Sequence, residues 1–233
     1  MKKNKAGLSL TCSLILAACT TIIAPDTSQE NRMQINNNSE ALSSKVQYTY
    51  EKVDITPPSE DKEKKFTVKQ SNQTLKLALL AHVDAPSING RKVQATKVVL
   101  KDNLAYVSYN MIGETFNGGV HIIDVTDPSV PVLKAEMTLS DTDINTLMVD
   151  DNNKLYLGGS NQNYNPPAIL EVVQLQNSGQ SFGSSLKQLN LPSFAATDIN
   201  SLNQKIYVSV GAKDGGVATI NPSTMTQESF YAL

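Results

Sequence analysis

The sequence predicts an all-β chain in which a four-stranded antiparallel unit recurs about every fifty residues. Three observations predict it. From Val93 onward, short apolar strands alternate with polar turns and no helical period is sustained. A hairpin of strand, polar turn and tyrosine-bearing strand occurs three times, and its tyrosines (Tyr106, Tyr156 and Tyr207) stand 50 and 51 residues apart. Each hairpin is followed by a variable polar loop, a third apolar strand and a fourth. One hairpin is commonplace; a constant interval marks a repeat.

The elements justify themselves in order. Lys2, Lys3 and Lys5 precede an apolar run from Ala6 to Ala18, a pattern with the charge and length of a secretory signal peptide. Leu16-Ala17-Ala18-Cys19 closes it and resembles the lipobox of bacterial lipoproteins. That resemblance implies cleavage after residue 18 and a lipidated Cys19, a membrane anchor carrying diacylglycerol and palmitate-type chains. Thr20 after the cysteine points to the outer membrane. The other cysteine, Cys12, would leave with the peptide, so the mature chain holds no thiol for a disulfide, zinc or nucleophilic catalysis. Residues 19–65 read as a flexible tether: polar, aperiodic, and ending in Pro57-Pro58 and the charge run Glu60 to Lys65. Within it, Val46 to Ile55 alternates and is the one stretch that reads as a possible strand.

Residues 66–233 are expected to hold the folded unit. Phe66 to Val68 and Leu75 to Val83 open it. The repeats fall near 93–140, 141–192 and 193–233, with third strands at Val120 to Val125, Ile169 to Leu175 and Val217 to Ile220. Four antiparallel strands in about 50 residues is the size of a β-propeller blade. Three such blades fall short of the four to eight of a closed propeller, so an open or partial propeller is expected. The shortfall admits a truncated chain, a further partial blade from 66–83, or closure by oligomerisation. An open arc also predicts exposed sheet faces.

Gly118-Gly119-Val120-His121-Ile122-Ile123-Asp124-Val125-Thr126-Asp127-Pro128-Ser129-Val130-Pro131 resembles the LVIVD repeat of bacterial β-propellers. Gly215 to Ser223 matches it with a shorter strand and no second proline; the middle repeat lacks the Asp-Pro-Ser turn. Leu104 to Ser108 and Ile206 to Ser209 resemble the Tyr-Val-Thr-Asn strand of a related propeller family. The resemblance covers about 93–233 and implies a blade architecture without naming an activity.

Removing Lys2, Lys3 and Lys5 leaves 17 of the 20 basic residues against 22 acidic ones, a net charge near −5. No basic cluster is left to neutralise phosphates, so nucleic acid is not an expected partner. No cofactor fingerprint or nucleophile elbow occurs. Asp141-Thr142-Asp143-Ile144-Asn145 begins like a calcium loop but has Thr146 where glycine is needed and Asn152 where glutamate is needed, so no metal site is expected. His82 and His121 are the only histidines, and His121 alternates with Val120 and Ile122 on a strand, facing away from them. The candidate binding residues lie in or beside the loops that join second to third strands. They are Asn110, Glu114, Phe116 and Asn117; Asn161, Asn163 and Tyr164; and Lys213 and Asp214. The expected function is a lipid-anchored cell-envelope scaffold that binds a protein or surface ligand without catalysis. The alternative is a truncated propeller enzyme, a glycan-active hydrolase or lyase whose catalytic residues lie in missing blades.

Overall fold

The Asx-rich turns set the strand pairings. A computed structural model describes residues 32–54 and 76–233 apart from Glu114. Cys19, Phe66 to Val68 and Glu114 lie outside the described residues. Asp102 and Asn103 both adopt positive φ, as do Asn203 and Gln204, the geometry that lets two residues close a twisted hairpin. In the middle repeat, Asp150 Oδ1 accepts from the amides of Asn152 (2.9 Å) and Lys154 (2.8 Å).

Three four-stranded antiparallel sheets of blade type result, each in sequence order. The first contains β6 (Gln94–Lys101), β7 (Leu104–Asn110), β8 (Gly118–Asp124) and β9 (Val132–Leu139). The second contains β10 (Thr142–Val149), β11 (Lys154–Asn161), β12 (Ala168–Gln176) and β13 (Ser181–Asn190). The third contains β14 (Ala195–Leu202), β15 (Lys205–Gly211), β16 (Gly216–Asn221) and β17 (Thr226–Ala232). The turn after β8 forms as its residues dictate: Asp127 Oδ1 accepts from Ser129 N at 2.9 Å, and Asp127 O accepts from Val130 N at 3.0 Å.

Alternation gives each sheet a front and a back. Tyr106, Val120, Ile122 and Met137 on the back of the first sheet pack against Ile144, Leu147, Leu157 and Val173 on the front of the second. Tyr156, Leu170 and Val172 on the back of the second pack against Ile199, Ile206, Val208 and Ile220 on the front of the third. Gly118 belongs to this seam, because a Cβ there would stand 2.5 Å from Thr142 O. The inner strands β6, β10 and β14 neighbour one another and share a device: each carries a bulge against its hairpin partner, at Thr96, Asn145 and Thr197. Bulges re-aim side chains. Thr96 Oγ1 donates to Ile144 O (2.8 Å) and Asn145 Nδ2 to Ala196 O (3.2 Å), so the first two bulge side chains reach the backbone just before the bulge of the next sheet.

The expected tether is corrected where the structure describes it. β1 (Met33–Asn36) joins the outer edge of the first sheet as a fifth strand, pairing Met33 with Leu139 and Asn36 with Glu136. Its composition is that of a tether, but Met33 and Ile35 pack on the seam between the first two sheets, and Asn37 exchanges two hydrogen bonds with the Phe182 backbone. Helix α1 (Ser39–Leu42) follows, capped by Asn38, whose Oδ1 accepts from Glu40 N and Ala41 N at 3.1 Å each. β2 (Val46–Asp54) pairs with β3 (Lys76–Val83) in a separate two-stranded sheet, beside the short pair β4 (Ser87–Ile88) and β5 (Arg91–Lys92). Together these pieces cap the front of the first sheet. Leu42, Val46 and Val83 pack on Ala105, Ile123 and Leu133, while Ile88 and Val93 pack around Tyr109.

Candidate functional site

Antiparallel order sends the β7–β8, β11–β12 and β15–β16 loops to one end of the stack, with the β9–β10 and β13–β14 connections. This is the loop end; the hairpin turns occupy the other. Asp143, at the start of β10, organises the first loop: its Oδ1 accepts from Met111 N (3.1 Å) and Asn117 N (3.0 Å). Burial raises its pKa, against the pull of those two amides.

The predicted candidates divide into two groups. Asn110, Asn117 and Asn161 turn inward and hold the loops, and Asn163, though exposed, helps to fasten its own. Asn110 Nδ2 donates to Asn145 Oδ1 (2.9 Å) and its Oδ1 accepts from Gln94 (3.0 Å). Asn117 is buried, with its Nδ2 toward Met111 Sδ and its Oδ1 without a partner. Asn161 Nδ2 donates to Thr142 Oγ1 (2.9 Å), and Asn163 Nδ2 to Asp141 Oδ2 (2.9 Å). Phe116, Tyr164, Lys213 and Asp214 remain at the surface. Phe116 meets the half-exposed Phe194 edge to face, centroids 6.3 Å apart, which joins the first loop to the connection entering the third sheet. Ile112 in the same loop is 78% exposed. Phe194 and Ile112 escaped the sequence reading because single aromatic or aliphatic residues in loops carry no pattern.

Two buried ionic clusters flank this end, and both depend on the N-terminal segment. Arg32 donates from one nitrogen to Asp141 Oδ1 (2.7 Å) and Thr142 Oγ1 (3.1 Å), and from the other to Glu171 Oε1 and Gln188 Oε1 (3.4 Å). Glu171, on β12, is fully buried and its Oε2 has no partner. Burial lifts its pKa to about 7 in spite of Arg32, and Asp141 adds to the rise. On the capped front of the first sheet, Tyr109 hydroxyl meets His121 Nδ1 at 3.0 Å, and His121 Nε2 meets Glu136 Oε2 at 2.8 Å. Lys45 pairs with the same carboxylate oxygen. Burial holds His121 below its usual pKa and outweighs the pull of Glu136. Burial opposes the Glu136 carboxylate as well, but hydrogen bonds from His121 and Lys45 prevail and hold it below the usual glutamate range. The neutral imidazole thus accepts from tyrosine and donates to glutamate. As expected, His121 faces away from Val120 and Ile122.

Among the described residues, no group of three or more His, Cys, Asp or Glu side chains is placed to hold a metal ion. Asp143 is a buried carboxylate near the loops, but its Oδ1 is committed to two backbone amides. Glu171 is sealed from any substrate. The arrangement suits recognition by rigid, outward-facing loops.

No protein-family model matches the chain. No curated protein matches it either. Among solved structures it is similar to CoXyl43, a GH43 β-xylosidase/α-arabinofuranosidase from a compost microbial metagenome, determined with xylotriose in a calcium-free form. The two share 18% identity with a TM-score of 0.44, over 64% of this chain and 58% of that one. The chain thus spans less than two thirds of that enzyme's length.

Proposed function

We propose that the chain is a lipid-anchored cell-envelope protein of the LVIVD-repeat type that binds a protein or surface ligand through its loop end. The observation that carries this reading is the Phe116–Phe194 pair at the loop end, next to Asn117, whose amide is fixed by Asp143. Exposed aromatic groups on a fixed backbone are contact anchors that lose little entropy on binding. Ile112 and Tyr164 are also exposed in loops at the same end. The Lys-rich start, apolar run and Leu-Ala-Ala-Cys pattern supply the anchor at Cys19 and favour the outer membrane as the site of action. The competing reading is a truncated propeller enzyme, a glycan-active hydrolase or lyase whose catalytic residues lie in missing blades.

One experiment separates them. A photoreactive residue replaces Ile112 in the full-length lipidated protein in its own envelope, with Asn203 at the turn end as the control position. The binding reading expects one discrete adduct from position 112, absent from position 203 and lost in Phe116→Ala/Phe194→Ala. Equal labelling from both positions would defeat it, as would glycoside turnover by the full-length protein that loop substitutions abolish.

A further inference from the structure

The repeating tyrosine shows what each sheet's back is built to meet. Tyr106, 1% exposed, lies between the first and second sheets and donates its hydroxyl to Gly179 O at 3.1 Å. Tyr156, fully buried, lies between the second and third. Tyr207 holds the same place on the third sheet, opposite the buried Ile206 and Val208, and it is half-exposed. The bulge residues repeat the lesson. Thr96 and Asn145 reach forward to the next sheet, whereas Thr197 is exposed and turns back to Ser209 O in its own sheet (3.2 Å).

The back of the third sheet therefore continues two established interfaces among the described residues, yet nothing there packs on it. Val217 stands opposite Ser209 and Tyr231 in the ladder; Tyr231 is 68% exposed and Leu202, at the hairpin end, 63%. Its edge is electrically neutral, because Lys205 Nζ meets both oxygens of Glu228 at 2.6 Å.

We propose that this face is the interface between two copies of the chain, packed back to back about a two-fold axis. The front of the first sheet is already covered by α1, β2 and β3, so a second molecule cannot add head to tail without displacing that cap. Head-to-tail addition is the mode that builds open fibres, whereas a self-complementary face closes at two. A neutral face with hydroxyl-bearing aromatics meets its own copy without like-charge repulsion. Seven-residue strands in a four-stranded sheet make a face of roughly 23 Å by 19 Å, below the size of standard specific interfaces, so the dimer is weak and concentration-dependent.

Sedimentation equilibrium on the lipidated full chain in density-matched detergent tests it. Over roughly two decades of concentration the dimer fraction should rise from minor to dominant. Val217→Lys and Tyr231→Lys should each shift the midpoint at least about tenfold upward, because a two-fold axis buries the introduced charge twice. Asn203→Lys should not move it. Circular dichroism melts matching the unsubstituted chain show that the variants fold; Tyr231→Lys, at an exposed site, serves if Val217→Lys does not. A monomer throughout the range, or a dimer indifferent to both lysines, overturns the proposal.

Discussion

Glu136 and Glu171 are both strand glutamates, both buried, and both met by a basic residue from the N-terminal segment, yet they come out on opposite sides of their ordinary pKa. Glu136 receives Lys45 and His121 and keeps 15% of its side chain in contact with solvent, and it is held down. Glu171 receives Arg32 and, at full burial, has one oxygen with no partner and a second carboxylate nearby; it rises to about 7. A single cation does not offset complete desolvation, while two donors and partial exposure do. The first cluster secures the cap on the first sheet. The second ties β1 across the seam between two sheets at a cost.

Arg32→Ala should break the comparison most severely. It leaves Glu171 and Asp141 facing each other without a cation, and removing one partner of a buried pair costs about 3–5 kcal/mol. Urea unfolding at neutral pH measures it, and amide exchange at Met33 to Asn36 should rise with the loss of the β1 ladder. A smaller effect follows from pH. Glu171 has a folded pKa above its ordinary 4.5, so its folded form holds the proton longer. Its contribution is complete below about pH 4.5 and is lost as pH rises through about 7, on the order of 3 kcal/mol. His121 runs the other way, since its lowered pKa removes stability as pH falls below 6.5. Comparing Glu171→Gln with the unsubstituted chain by urea midpoints at pH 5 and pH 8 isolates the first term; the variant should show the flatter fall between them. The smallest change is Tyr109→Phe, which deletes the hydroxyl on His121 Nδ1 and should cost about 1 kcal/mol. Its second readout is the His121 titration by NMR.

The strands and turns were legible because their signals are local. Alternation in Val132–Leu139, the Asp102-Asn103 turn and the Gly118 strand lead are read within a few residues. β1 was not legible, since Met-Gln-Ile-Asn is too short to show a period and takes its conformation from the β9 edge and from Arg32. Glu171 did leave a mark, a single carboxylate inside the apolar run Ala168 to Val173. Its partner, 139 positions away, left none. The bulges at Thr96, Asn145 and Thr197 look like ordinary polar residues in strands; only the three-dimensional repeat reveals the first two as couplings between sheets. Among the candidate loop residues, sequence placed the loops between the second and third strands but could not distinguish asparagines that fasten them from aromatics at the surface.

The position of Arg32 beside Asp141 also fixes which end of the stack a leash would hold. Thirteen residues separate Cys19 from Arg32, a span of at most about 45 Å when fully drawn out. On the proposed reading, a lipid on Cys19 would keep the loop end within that radius of the bilayer, with the turn end about one strand length, some 25 Å, beyond it. A partner embedded in the same membrane would then meet the proposed Phe116–Phe194 surface at a local concentration set by the leash rather than by bulk supply.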